Sequence, residues 1–140
     1  MRSHIPIMFA ASRKPSILPK PRPRLIYDGV CNLCAAVVKL LSCLDRCRRF
    51  EYVAYQQLNR GFRNKYGLTS SDLQGRMYLV GDGAVYAGPK AIADVCRLLT
   101  PFAFVCNLFK TPQARRLYEW VARRRYRIFG CRESCYTVQN

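Results

Sequence analysis

The chain has 140 residues, half of them hydrophobic, which suffices for one domain with one core and no more. Lysine and arginine number 24 against 8 acidic residues, a net charge of +16, so a polyanionic neighbour (nucleic acid, an anionic membrane face or an acidic protein) stands beside the blander reading of a solvated basic surface. Eight cysteines would make a disulfide framework in a secreted chain, but the N-terminal stretch holds only a short apolar run at 5–11, with Pro6 inside it, so no secretory signal is expected.

Residues 1–23 read as a disordered basic tail. They contain no acidic residue, and 15–23 are too rich in proline for helix or central strand. Arginine and serine without acid also fit a transit peptide to a mitochondrion or plastid, so the expected setting is intracellular or organellar. A folded domain is expected over 24–135, with a short tail at 136–140. Residues 25–27 (Leu-Ile-Tyr) are apolar and aromatic, the mark of a strand. Asp28-Gly29 turns the chain. From Cys31 the apolar residues Leu33, Val37, Leu40, Leu41 and Leu44 recur at three- and four-residue steps, which predicts a helix over 31–44. A charged turn at 45–49 leads to a strand at 50–55. Strand, helix and strand in that order imply a parallel crossover. A short helix is predicted over 58–66, ended by Gly67, and a loop over 69–75. Residues 77–80 and 85–86, split by Gly81-Asp82-Gly83, make a hairpin. Pro89 suits the first turn of a helix over 90–99. Residues 101–109 are apolar and expected to be helical, and Pro112 opens a last helix to about 126. The apolar stretch at 103–109 with the helix before it, interrupted by Asp94 and Arg97, is too short to span a membrane.

Cys31 and Cys34 fall on the strand-to-helix turn. Unpaired N–H groups at a helix start carry partial positive charge and stabilise a thiolate, the nucleophile of disulfide exchange. Cys34 stands one turn further along the same face, within reach to resolve a mixed disulfide.

Asp28-x-x-Cys31-x-x-Cys34 after a short strand resembles the DCC family of predicted thiol-disulfide oxidoreductases. Gly81-Asp82-Gly83-Ala84-Val85-Tyr86 is similar to the family's hairpin, and Tyr126-Arg127-Ile128-Phe129-Gly130 followed by Cys135 is similar to its C-terminal signature. The resemblance covers roughly residues 24–135. It implies a thioredoxin-like α/β domain (βαβ, α, then ββα) with extra C-terminal helices. It also implies a redox-active Cys31 and Cys34, no cofactor, and a protein or small-molecule disulfide as substrate. One departure from thioredoxins stands out: residues 70–76 contain no proline where thioredoxins carry a cis-proline before the third strand.

Several readings stay open at this level. CxxC also supplies half of a zinc site, though the only histidine is His4 in the tail and no second CxxC exists. Asp28 is either a proton acceptor for Cys34 during resolution or a turn and capping residue. Gly29 is assigned backbone freedom at the turn. Cys43 and Cys47, and again Cys131 and Cys135, are spaced four apart, so a four-cysteine zinc site competes with a reading of Cys43 as a small apolar residue in a buried helix. Cys131 is extra to the family pattern. Cys96 and Cys106 read as core. Arg115, Arg116, Arg123, Arg124 and Arg125 flank Leu117, Tyr118, Trp120 and Val121 on one basic amphipathic helix. That shape suits RNA or an anionic membrane surface, against the reading of a solvated helix packing its aromatic stripe on the domain. Two functions compete: a thiol-disulfide oxidoreductase, and a basic binding module whose cysteines are structural.

Overall fold

The structure is a computed structural model that describes residues 21–99, 107–108 and 110–139. A four-stranded sheet runs in the order β2-β1-β3-β4, with β1 Arg24–Tyr27, β2 Glu51–Ala54, β3 Tyr78–Gly81 and β4 Ala84–Ala87. β1 pairs parallel with β2 (Leu25 opposite Tyr52) and antiparallel with β3 (Leu25 opposite Leu79). The parallel pair is possible because helix α1, Asn32–Leu44, carries the chain across between them. The hairpin of β3 and β4 closes at Asp82-Gly83, both with positive φ.

Side chains alternate across the central strand, and this alternation divides the molecule into three layers. Leu25 and Tyr27 of β1 face a core shared with Val38 and Leu41 of α1 and with Ala91 and Val95 of α4, Pro89–Leu99. Tyr126 of the last helix α5, Pro112–Phe129, packs on the same side. Ile26 points the other way, into a smaller core with Leu58, Leu68 and Leu73. That second face is covered by α2, Arg60–Tyr66, and α3, Ser70–Gly75. The result is a thioredoxin-like α/β domain with an added C-terminal helix.

The stretch expected as a loop over 69–75 is helical. Thr69 accepts a bond from the Asp72 N–H while the Asp72 side chain reaches back to the Thr69 N–H, a capping box, and fully buried Leu73 pins the turn to the core. Residues 55–57, in part assigned to the second strand, form a 3-10 turn that places Gln56 beside the end of β1. Cys43, read as buried, is exposed, because the inward face of α1 is made by Cys34, Ala35, Val38 and Leu41. α5 begins at Thr111, whose hydroxyl accepts from the Ala114 N–H, and continues to Phe129, beyond the expected end at 126. The expectation of a helix at 101–109, the core reading of Cys106 and residues 1–20 of the tail lie outside the described residues. No described helix is long and apolar enough to cross a membrane.

Candidate dithiol site

The site begins where β1 runs out. Tyr27 is the last strand residue, and Asp28-Gly29-Val30 turns the chain into α1, with Cys31 as its N-cap in extended geometry (φ −82°, ψ 123°). Asp28 organises this turn. Its Oδ1 accepts from the Val30 N–H at 3.2 Å and from Gln56 Nε2 at 2.8 Å, while its backbone oxygen accepts from the Cys31 N–H at 3.3 Å. Gln56 also accepts from the Gly29 N–H at 3.1 Å. Gly29 has no positive φ, so backbone freedom is not what the position demands. It is a matter of space: a Cβ there would lie 2.2 Å from Cys135 Sγ and 3.0 Å from Ala54 Cβ.

The opposite wall comes from the far end of the chain. After α5, Gly130 (φ 75°) turns the backbone across the start of α1. The Asn32 N–H donates to Gly130 O at 3.4 Å, Arg132 N–H to Val30 O at 2.7 Å and Tyr136 N–H to Gly29 O at 2.8 Å. Asn32 Nδ2 donates to Phe129 O at 2.8 Å, and Arg132 Nε donates to Asn32 Oδ1 at 2.9 Å. This strap sets Cys31 opposite Cys131 in an antiparallel bridge and leaves Cys31 0% exposed. A cysteine at a helix start is ordinarily the more accessible of such a pair; here it is covered.

Arg125, four residues before the end of α5, reaches under the dithiol. Its Nη1 donates to Cys34 Sγ at 3.0 Å and its Nη2 pairs with Asp28 Oδ2 at 3.2 Å, both buried. The Tyr126 hydroxyl donates to the same carboxylate oxygen. Asp28 is thus saturated, holding the guanidinium against Cys34. Sequence reading had placed Arg125 on a partner-binding surface with its arginine neighbours. It is instead buried, because residues 118, 121, 122 and 125 share the inward face of α5.

The electrostatics separate the two thiols. Cys31 is lowered to about 6, first by the hydrogen bond from the Cys34 thiol and then by the backbone N–H of Cys34 and the Arg125 charge, against the cost of burial. Cys34 is pushed up by giving that hydrogen bond, by burial and by the Cys31 charge. The two shifts run in opposite directions, down for Cys31 and up for Cys34. Burial opposes the charge of Arg125, yet Cys34, Tyr126 and Cys31 together hold it protonated. Tyr126 is pushed up to about 12 by burial and by its bond to Asp28, so it remains a donor at neutral pH. Cys135, whose thiol faces Gln56 Oε1 at 3.7 Å, is pushed up by burial and the Asp28 charge.

Beside Cys34 lies an apolar pocket of about 350 Å³, lined by Leu33, Val37, Met77, Tyr118 and Arg125 among others. Met77 lies immediately before β3, and its N–H donates to the Tyr118 hydroxyl at 3.3 Å. Among the described residues no group of three or more histidine, cysteine or acidic side chains is gathered as a metal would need, and Cys31, Cys34, Cys43, Cys47, Cys131 and Cys135 are not in disulfides. Cys43 and Cys47 are exposed at the far end of α1, away from Cys131. Sequence reasoning missed Gln56 and the buried role of Arg125. Only Arg125 left a signal, a cation on the apolar stripe of its helix.

A dithiol at the start of the first helix of a thioredoxin-like sheet, with a buried cation against its second sulfur, defines a redox-type domain. The chain belongs to the DCC1-like thiol-disulfide oxidoreductase family, whose model matches residues 25–131. It is 31% identical over 119 residues to "DCC family protein At1g52590, chloroplastic" of Arabidopsis thaliana, covering 81% of this chain and 69% of that protein. It is 29% identical over 119 residues to "Uncharacterized protein YuxK" of Bacillus subtilis (strain 168), covering 82% of this chain and 86% of that protein. No solved structure matches the chain.

Proposed function

We propose that the protein exchanges dithiol for disulfide with a disulfide-bearing substrate, Cys31 attacking and Cys34 resolving. The observation that carries this reading is the asymmetry of the pair: Cys31 lowered to about 6 at the helix start, and Cys34 held as a thiol between Cys31 and Arg125. The Cys31 thiolate attacks one sulfur of the substrate disulfide, that bond breaks, and one substrate thiolate departs. Cys34 then gives its proton to the departing thiolate, attacks Cys31 Sγ and releases the second substrate thiolate. The substrate gains two electrons and a Cys31–Cys34 disulfide remains. Arg125 steadies the Cys34 thiolate as it forms, and Asp28, with Tyr126 and Gln56, is the positioning group that keeps Arg125 in place. For the first step the 130–136 strap has to move off Cys31, which breaks the backbone bonds that Arg132 and Tyr136 make to Val30 and Gly29.

The test is disulfide reduction measured on wild-type, Cys31→Ser and Asp28→Asn proteins, with insulin as substrate and a chemical reductant to recycle. Cys31→Ser is expected to abolish turnover, and Asp28→Asn to slow it while leaving Cys31 able to take label. Undiminished turnover in Cys31→Ser refutes the assignment. The exposed arginines 115, 116, 123 and 124, with Trp120 half-exposed among them and Arg124 4.9 Å above its ring, supply a separate surface for an anionic partner.

A further inference from the structure

We propose that Cys131 is a third redox thiol of this site, forming a disulfide with Cys31 that carries the exchange from the buried pair to the surface. The proposal rests on the reading of Cys31 as the attacking thiol. Its ground is the bridge between the two residues. The bonds from Arg132 N–H to Val30 O (2.7 Å) and from Asn32 N–H to Gly130 O (3.4 Å) flank the pair and do not join it. That pattern defines a non-hydrogen-bonded antiparallel pair, in which the Cα atoms are about 4.5 Å apart and the side chains leave the same face. Disulfides bridge Cα atoms about 4.4–6.8 Å apart, so the backbone is already at bonding separation. The two thiols differ in access: Cys31 is 0% exposed, and Cys131 is open to solvent. Cys135, the other thiol of the strap, is engaged against Gly29 and Gln56 instead.

The step needs no external oxidant. A Cys131 thiolate, its proton given to solvent, attacks Cys31 Sγ of the Cys31–Cys34 disulfide. The Cys31–Cys131 bond forms as the Cys31–Cys34 bond breaks, and Cys34 departs as a thiolate beside Arg125 Nη1 before taking a proton from solvent. One disulfide replaces another, and its new sulfur stands at the surface.

Glutathione disulfide tests this in Cys34→Ser, Cys34→Ser/Cys131→Ser and Cys34→Ala proteins, with acid quenching, alkylation and peptide mapping. In Cys34→Ser, glutathione is expected to be taken up at Cys31 and released again as Cys131 attacks, leaving a Cys31–Cys131 disulfide and two glutathione thiols per chain. The double variant is expected to keep one glutathione on Cys31. Cys34→Ala is expected to repeat the Cys34→Ser result, which guards against a folding defect peculiar to serine. Glutathione retained on Cys31 equally in the single and double variants overturns the role of Cys131 and leaves Cys31 as nucleophile intact. A Cys31–Cys135 disulfide overturns it likewise. No uptake at Cys31 in any variant removes both the nucleophile assignment and this proposal.

Discussion

Replacing Arg125 with methionine strips the buried carboxylate of Asp28 of its cation while keeping much of the side-chain volume. The Arg125 and Asp28 side chains are 4% and 0% exposed, so solvent does not screen what is lost. Breaking one partner from a buried pair costs about 3–5 kcal/mol, since the remaining charge is left in a poor dielectric. Asp28 keeps the bonds from Gln56, Val30 and Tyr126, which argues for the lower half of that range, roughly 3–4 kcal/mol. At about 3–5 °C per kcal/mol for a domain of this size, the melting midpoint falls by about 10–20 °C. Asp28→Asn in the same chain removes the stranded charge: its amide oxygen can still accept from Gln56 and Val30, and its NH2 can donate to the Tyr126 oxygen. The double variant is therefore expected to be more stable than Arg125→Met alone. Urea unfolding of the reduced proteins, followed by far-ultraviolet circular dichroism, gives all four corners of the cycle. If the two single costs add to within about 0.5 kcal/mol in the double variant, the ion pair is not what joins α5 to the turn, and the reasoning fails.

Alkylation of Cys31 is expected to rise with pH through a midpoint near 6, because the thiolate is the reactive form; Cys34→Ala, which removes the largest stabilising bond, is expected to move that midpoint up toward about 8.5, and an unmoved midpoint contradicts the assignment of the hydrogen bond. Gly29→Ala forces a methyl to within 2.2 Å of Cys135 Sγ and is expected to cost about 1–3 kcal/mol in urea, with part of the loss recovered by adding Cys135→Ala; a loss that the second change does not relieve places the clash elsewhere. Substituting exposed Arg115, Arg116, Arg123 and Arg124 with glutamine is expected to leave stability within about 0.5 kcal/mol, and to weaken binding to anionic vesicles or RNA with a shallower salt dependence. Binding unchanged by the four substitutions makes that face a solvated one.

The dithiol turn was legible because everything that defines it is local: a short apolar strand, Asp-Gly, two cysteines a helical turn apart and the period of α1. The parallel crossover and the hairpin followed from the same kind of short-range pattern. α3 was not read, because Ser70, Ser71, Asp72 and Gly75 suggest a loop by composition. The Thr69–Asp72 capping box was the available signal, and the burial of Leu73 settles the outcome in the fold. Gly29 was correctly singled out for the wrong physical reason, since the crowding atom belongs to Cys135, over a hundred positions along the chain. Arg125 was misplaced for a related reason. Within a run of three arginines its sequence neighbours are exposed, and the carboxylate that draws it inward is distant in sequence.

That distance has a consequence for how the molecule is made. Cys34 and Arg125 are separated by 91 positions, and Asp28 and Arg125 by 97. A ribosome adds roughly 5–20 residues per second, so about 5–20 s pass between synthesis of the two cysteines and synthesis of the arginine that completes their surroundings. Throughout that interval the nascent chain carries the two thiols without the guanidinium, and without the strap that later covers Cys31. A polypeptide released before α5 is complete would keep the whole DxxCxxC motif and lack both the cation against Cys34 and the cover over Cys31. The final stretch of translation therefore adds a buried cation and a cover to a pair of cysteines whose mutual hydrogen bond and helix-start geometry are local to the motif.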